Sequence, residues 1–157
     1  MANDVIAGDL VMVFMSASTG TTTWKSVAHA TSHSLSIKMA TRDTTNKGSG
    51  NYVTRKSGRL DVSGTLAGMY IDNDKYNAED FALAIVARKP MLMIFGKETV
   101  QLNGIPDTTT GGLTHFYASG QFYLTSIDLT FPDKENTTYS ASFEHATGFA
   151  LNQLITS

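Results

Sequence analysis

The 157-residue chain contains no cysteine, which excludes disulfide staples, thiolate metal sites and thiol catalysis and fits folding in a reducing cytoplasm. Charge is scarce as well: 17% of residues are charged, against about 25% in an average soluble protein. With a net charge of −2 the chain lacks the positive field that nucleic-acid binders use to neutralise phosphates, so tight DNA binding is not expected. No stretch approaches the roughly 18 uninterrupted apolar residues of a membrane-spanning helix. The apolar residues among 1–15 have no basic lead and are broken by Asp9, so they do not read as a signal peptide.

Catalytic motifs are missing too. There is no Gly-rich phosphate loop running into a helix, no nucleophile elbow and no recognisable Ser, His and Asp constellation, so nothing argues for an enzyme. Histidines stand at 29, 33, 115 and 145, and the pair His29 and His33 has no third ligand near it. Asp72 and Asp74 resemble part of a calcium loop but lack its glycine and its downstream glutamate, and they read as a polar turn. No metal and no cofactor are expected.

What the chain does have is hydroxyls, with 21 Thr and 14 Ser. Thr suits a half-buried pleated surface, and short uncharged side chains suit sheets that meet other protein, although a plain β-rich domain has the same composition. The patterning agrees with sheet. Residues 9–15 form a short apolar run ending in a turn-rich stretch. Residues 33–41 alternate, with Leu35, Ile37 and Met39 on one face, and residues 59–67 alternate with Leu60, Val62 and Leu66 inward, so the two predict an antiparallel hairpin. Residues 42–58 between them are too long for a tight turn and predict a mobile projecting arm carrying Arg42, Lys47, Arg55 and Lys56, either a plain surface loop or a segment that orders on a neighbouring subunit.

One helix is signalled. Asn77 caps it, Glu79 and Asp80 occupy its first turn, Arg88 and Lys89 complement its other end, and Pro90 stops it. Its apolar stripe, including Phe81, Ala82, Ile85 and Val86, is wide enough for contact with its own sheet and partly with a neighbour. Residues 91–95, MLMIF, predict a strand buried on both faces, and residues 102–112 a loop. Strands near 115–131 and 137–144 follow, joined by a polar turn, with a short strand possible around 149–155. In the first of these the inward parity switches between Leu124 and Ile127, which requires a bulge near Thr125 and Ser126 or a stretch buried on both sides. The sum is one domain over 1–157, mainly β: an antiparallel sandwich or partly open barrel flanked by one α-helix.

Taken in order, GDLVMVFM, WKSVAHATSHSLSI, TTNKGSGNYVTRKSGRLDVSGTLAG, NAEDFALAIVARKPMLMIFG and ASGQFYLTSIDLTFPDKENTTYSASFEHATG resemble the major tail tube protein of long-tailed bacteriophages over nearly the whole chain. The closing segment departs from the pattern, with Ala146-Thr147-Gly148 where relatives often carry Gly-x-Gly. The resemblance implies a structural, non-enzymatic virion protein, assembled in the host cytoplasm into stacked rings of six that form a hollow tube. Its implied partners are other copies of itself and the tape measure, tail terminator and tail-tip proteins, with DNA passing through unbound and no membrane. On that reading the outward residues Asp61, Ser63 and Thr65, Asp128 and Thr130, and Ser142 and Glu144 are candidates to line the channel, with Lys38 and Arg59 near the rims or paired with carboxylates. The same resemblance extends to the tubes of contractile tails and type VI secretion. A reading from another class is a monomeric β-sandwich that binds carbohydrate, which needs exposed aromatics on a concave face.

Overall fold

A computed structural model describes residues 11–17, 24–27, 30–71, 76–97 and 118–151. Seven strands, β1 (Met12–Ala17), β2 (Lys25–Ser26), β3 (Ala30–Asp43), β4 (Arg55–Met69), β5 (Met91–Gly96), β6 (Ala118–Thr130) and β7 (Thr138–Leu151), form one sheet in the order β2-β1-β5-β6-β7-β4-β3. Every neighbouring pair is antiparallel. The helix α1 (Ala78–Ala87) flanks it. The expected loop at 102–112, His29 and His115, the turn carrying Asp72 and Asp74, and residues 9–10 and 152–155 of the expected strands lie outside the described residues.

Between the sandwich and the open barrel, the packing selects the barrel. β3 and β5 stand four places apart in the sheet, a separation of about 19 Å if it were flat. Yet the rings of His33 on β3 and Phe95 on β5 are 6.3 Å apart, and His33 hydrogen-bonds the backbone of Val11 just ahead of β1. The sheet is therefore curled, bringing its β3 edge back towards β1 without closing.

The inner face fills with residues of one parity from each strand: Val13 and Met15, Val62 and Leu66, Met91, Met93 and Phe95, Phe122 and Leu124, and Tyr139, Ala141 and Phe143. At its centre Phe95, Phe122 and Phe143 pack with ring centroids 5.2 to 6.3 Å apart, the offset and edge-on geometry that aromatic quadrupoles prefer. Phe143 needs space that only glycine leaves, because a Cβ on Gly64 would collide with its ring and with the Ser34 carbonyl. On the other side of β1 and β5, Phe14 and Ile94 form a second small cluster with Met12 and Trp24, so β5 is buried on both faces as its unbroken apolar run predicts.

The helix ends match their signals. Asn77 Oδ1 accepts from the N–H of Glu79 (3.0 Å) and Asp80 (3.3 Å), the Asp80 carboxylate accepts from Tyr76 N–H (2.6 Å) and Asn77 N–H, and Asn77 Nδ2 donates to the Ile71 carbonyl (3.0 Å). That last bond ties the helix start to the end of β4. Arg88, left-handed at φ 53°, closes the other end through bonds to the carbonyls of the last turn. Phe81 is fully buried, its ring edge-on to Tyr139 at 5.7 Å.

Three expectations are decided by the structure, the first of them between two alternatives and the other two as corrections. The parity switch in β6 is a bulge: the register shifts between Leu124 and Ser126, and Tyr123 is exposed between buried Phe122 and Leu124. The segment 42–58 is not a mobile loop throughout, because β3 and β4 continue into it, pairing Arg42 with Lys56 and Asp43 with Arg55. The turn beyond is a short 3-10 segment, Lys47–Ser49, whose Asn46 side chain accepts from Gly48 N–H (2.8 Å) while Asn46 N–H donates to Ser49 Oγ (3.1 Å). Third, Ile37, Met39 and Leu60 have the inward parity but are exposed: Met39 and Leu60 because the hairpin runs past the end of the core, Ile37 because it stands on the edge strand β3 beside buried Val62.

Two outcomes test this packing. Phe81→Ala should lower stability by about 3–5 kcal/mol as the ring's cavity stays open, read from the urea midpoint; an unmoved midpoint would mean the ring is not core. Burial holds the His33 imidazole below its ordinary pKa, partly offset by its bond to Val11. The unfolded chain then takes up a proton near pH 6.5 that the folded chain resists, so stability falls as pH drops below about 6.5 and levels off under the folded value. His33→Gln should flatten that part of the midpoint-against-pH curve, and an unchanged slope would assign it to other groups.

Candidate functional site

The outer face of β3, β4, β7 and β6 is a continuous polar wall, and its composition follows from the alternation that fills the core. Because neighbouring strands share the parity, inward apolar residues leave the residues between them facing out in rows. Across the strands these rows are Thr130, Thr138 and Met69; Asp128, Ser140 and Ala67; Ser126, Ser142, Thr65 and Ser34; Tyr123, Glu144, Ser63 and Ser36; and, on the hairpin alone, Asp61 and Lys38. Hydroxyls dominate. Ser34 Oγ and Thr65 Oγ1 are 2.8 Å apart, and at the bulge Thr125 Oγ1 donates to the Ser142 carbonyl at 3.3 Å.

The residues picked from separate strands, Asp61, Ser63, Thr65, Asp128, Thr130, Ser142 and Glu144, thus stand on one face of one sheet. Lys38 is directly opposite Asp61 in the register. Arg59 lies further out, on the exposed arm. Sequence alone missed Ser34, Ser36, Ser126, Thr138 and Ser140 as members of the same wall. Their alternation was visible, but the pairing of β4 with β7 joins residues more than 65 positions apart and leaves no local mark.

The second feature is the arm, the exposed part of the β3–β4 hairpin. Arg42 and Lys56 face each other across it, Arg55 is opposite Asp43, and Lys47 sits in the capped turn. The Asp43 carboxyl is held below the usual carboxylate range by hydrogen bonds from the Thr45 hydroxyl and backbone. Thr44 N–H donates to the Thr54 carbonyl at 2.9 Å and Thr54 N–H to Thr45 Oγ1 at 3.1 Å, so the arm is a hairpin closed by its own hydrogen bonds.

The helix divides its stripe. Phe81 is in the core, Ala82 and Ile85 are half-buried, and Val86 is exposed together with Leu83. Among the described residues no group of three His, Asp or Glu side chains could hold a metal, and no helix is long and apolar enough to cross a membrane. Among the described residues the exposed aromatics Tyr52, Tyr123 and Phe131 stand apart, at the arm tip, on the polar wall and at the far end of β6 respectively.

The fold recurs in solved structures. A chain in the tail of an empty gene transfer agent particle, obtained with helical refinement in C6 symmetry, superposes with a TM-score of 0.71 at 17% identity, covering 94% of this chain and 98% of that one. The SPP1 tail tube gives 0.65 at 15% identity, over 96% of this chain and 81% of that one. A chain of the six-fold symmetrised anti-feeding prophage baseplate gives 0.62 at 7%, over 96% and 97%. At these identities the likeness is one of fold. No curated protein matches the chain in sequence. The model of the phage tail tube protein family matches residues 5–149, which takes in every strand pairing that builds the polar wall. The chain belongs to the phage tail tube protein family.

Proposed function

We propose that this protein forms the tube of a phage tail as stacked rings of six subunits, with the polar wall of β3, β4, β7 and β6 lining the channel through which DNA passes. The observation that carries the channel assignment is the wall itself: four adjacent strands give a face of serines and threonines on which the single lysine, Lys38, faces a carboxylate. A conduit for a polyanion must not hold it. Hydroxyls hydrate the wall, and Asp61, Asp128 and Glu144 repel phosphates, whereas a basic wall would form long-lived contacts. Ring number rests on the six-fold symmetry of the related tail and baseplate structures.

Assembly uses the other two features. The arm, through Arg42, Lys47, Arg55 and Lys56, docks on an adjacent subunit, and the exposed side of α1 at Val86 meets a neighbour while Phe81 serves the subunit's own core. The free edge of β3 is covered in the ring, which removes the unpaired backbone that would otherwise template aggregation. The role is structural and not enzymatic, in the virion tail after assembly in the host cytoplasm. Tape measure, terminator and tail-tip proteins are the partners at the lumen and the two ends.

Replacing both Asp61 and Asp128 with Lys should leave tube assembly intact while DNA ejection slows or stalls; normal ejection from infectious double-mutant particles would end the assignment of this face to the channel. Deleting residues 46–52 leaves Thr44 and Thr54 joined through two residues, the length of a tight hairpin, so the subunit should still fold. Tubes of the deleted chain should be short or absent by negative-stain microscopy. Tubes of normal length and stability would show that the arm tip has no part in assembly.

A further inference from the structure

The chain passes from one edge of the sheet to the other in very few residues. β2 ends at Ser26 and β3 begins at Ala30, yet these are the two outermost of the seven strands. A flat sheet would set them about 29 Å apart at ~4.8 Å per strand, whereas the steps from Ser26 to Ala30 reach about 14 Å at most. Chain length therefore forces the curl. It brings the β3 edge round to β1 along a seam without a ladder: among the described residues β3 pairs only with β4, and β1 only with β2 and β5.

Side chains hold the seam instead. His33 stands beside Leu66 of β4, lays its ring against Phe95 of β5 at 6.3 Å and hydrogen-bonds the Val11 backbone ahead of β1, so one imidazole touches both sides. Further along β3 the inward row supplies apolar contact from Leu35, after which Ile37 and Met39 stand exposed. Among the described residues no counter-ion faces the ring. The inward residues of β4, β5 and β1 around it are apolar. The nearest charged positions along β3, β4, β5 and β2, which are Lys38, Asp61, Lys97 and Lys25, are exposed, and Asp9 and His29 lie outside the described residues.

Charging the imidazole strengthens its bond to Val11 but sets a cation against Phe95 and Leu66, and burial outweighs the bond. The half-buried ring regains water by leaving the seam, and with it goes the polar contact that spans the gap. We infer that His33 is the latch of this seam, and that its protonation in mild acid frees the β3 edge from β1 and β5 while the ladder from β4 through β7 and β6 to β5 stays paired. The short link to β2 tethers the start of β3, so the gap opens towards the arm. The inference rests on the fold and not on the tube reading, although the edge it frees is the one the ring is proposed to cover.

The absence of cysteine lets the gap be measured directly. Spin labels at Lys25→Cys on β2 and Lys38→Cys on β3 report it by pulsed electron paramagnetic resonance, with far-UV circular dichroism taken on the same samples. Between about pH 7.5 and 5, across the ordinary histidine range, the distance should broaden and lengthen by about 5 Å, one strand spacing, while the circular dichroism holds. The same labels in His33→Gln, which keeps a neutral donor for Val11 and does not titrate, should give one distance throughout. A His33→Gln chain already open at the upper pH identifies the imidazole as the latch all the same. There His33→Phe, which keeps a ring on Phe95 and does not titrate, must show no response to pH. An unchanged distance with His33 in place, an equal lengthening in His33→Gln, or a lengthening that comes only with loss of the circular dichroism signal overturns the inference.

Discussion

β4 and β7 pair from Ser63 opposite Glu144 to Met69 opposite Thr138, and both faces of the molecule depend on that register. With a side-chain period of two, a slip of one residue would send Leu66 and Val62 to the polar wall and Thr65 and Ser63 into the core. The slip is blocked at one point in particular. Phe143 lies opposite Gly64 and over it, where any Cβ would strike the ring and the Ser34 carbonyl of β3. Neither neighbour of Gly64 could take that place, since both Ser63 and Thr65 carry a Cβ. One glycine thus holds three strands in step, and the aromatic centre of Phe95, Phe122 and Phe143 is built on the position it secures.

From that ladder the sheet grows in two different ways. The hairpins β3–β4 and β6–β7 join strands that are neighbours in the chain, through a capped turn at Asn46 and a polar turn at 132–136. The pairings β1–β5 and β4–β7 bridge long stretches of chain and carry the closure entropy of those loops. The helix reduces the cost of the second kind. Its capping box fixes it to Ile71 at the end of β4, Phe81 anchors it on Tyr139 of β7, and its last turn delivers the chain at Met91 into the middle of the sheet. It works as a strut between the two long-range pairings, which explains a buried Phe81 beside an exposed Leu83 and Val86.

In the role proposed for the polar wall, the alternation that separates core from wall also separates folding from function. Residues of one parity hold the subunit, and the other parity is free to be serine, threonine and a few carboxylates, a surface suited to letting a polyanion pass in the role proposed for it. On that proposal the low total charge has a structural meaning. A wall of hydroxyls avoids both tight phosphate contacts and the repulsion between subunits that a densely charged ring would generate.

Much of this was legible in the sequence. Alternation identified β3, β4 and β7 and their two faces, the unbroken run MLMIF identified a strand buried on both sides, Asn77, Glu79, Asp80 and Pro90 bounded the helix, and the parity switch after Leu124 left a bulge as one of two readings. These are local signals, set by side-chain period and by a few backbone hydrogen bonds, and they survive whatever the rest of the chain does. The two-residue β2 left no such signal, and β3, β4 and β7 were placed short because pairing extends as far as a partner exists. Residues 42–58 read as a loop since their glycines and polar residues carry no period, yet the paired strands run on into them and a capped turn closes them. By itself the sequence determined most of the elements, their faces and the family. Only the tertiary structure decided that β7 stands beside β4, so that seven scattered polar residues become one wall, and that Met39 and Leu60 lie beyond the core with no cover. Strand order and curl are set by packing between residues far apart in the chain, and no local pattern encodes which distant strand a given edge will meet.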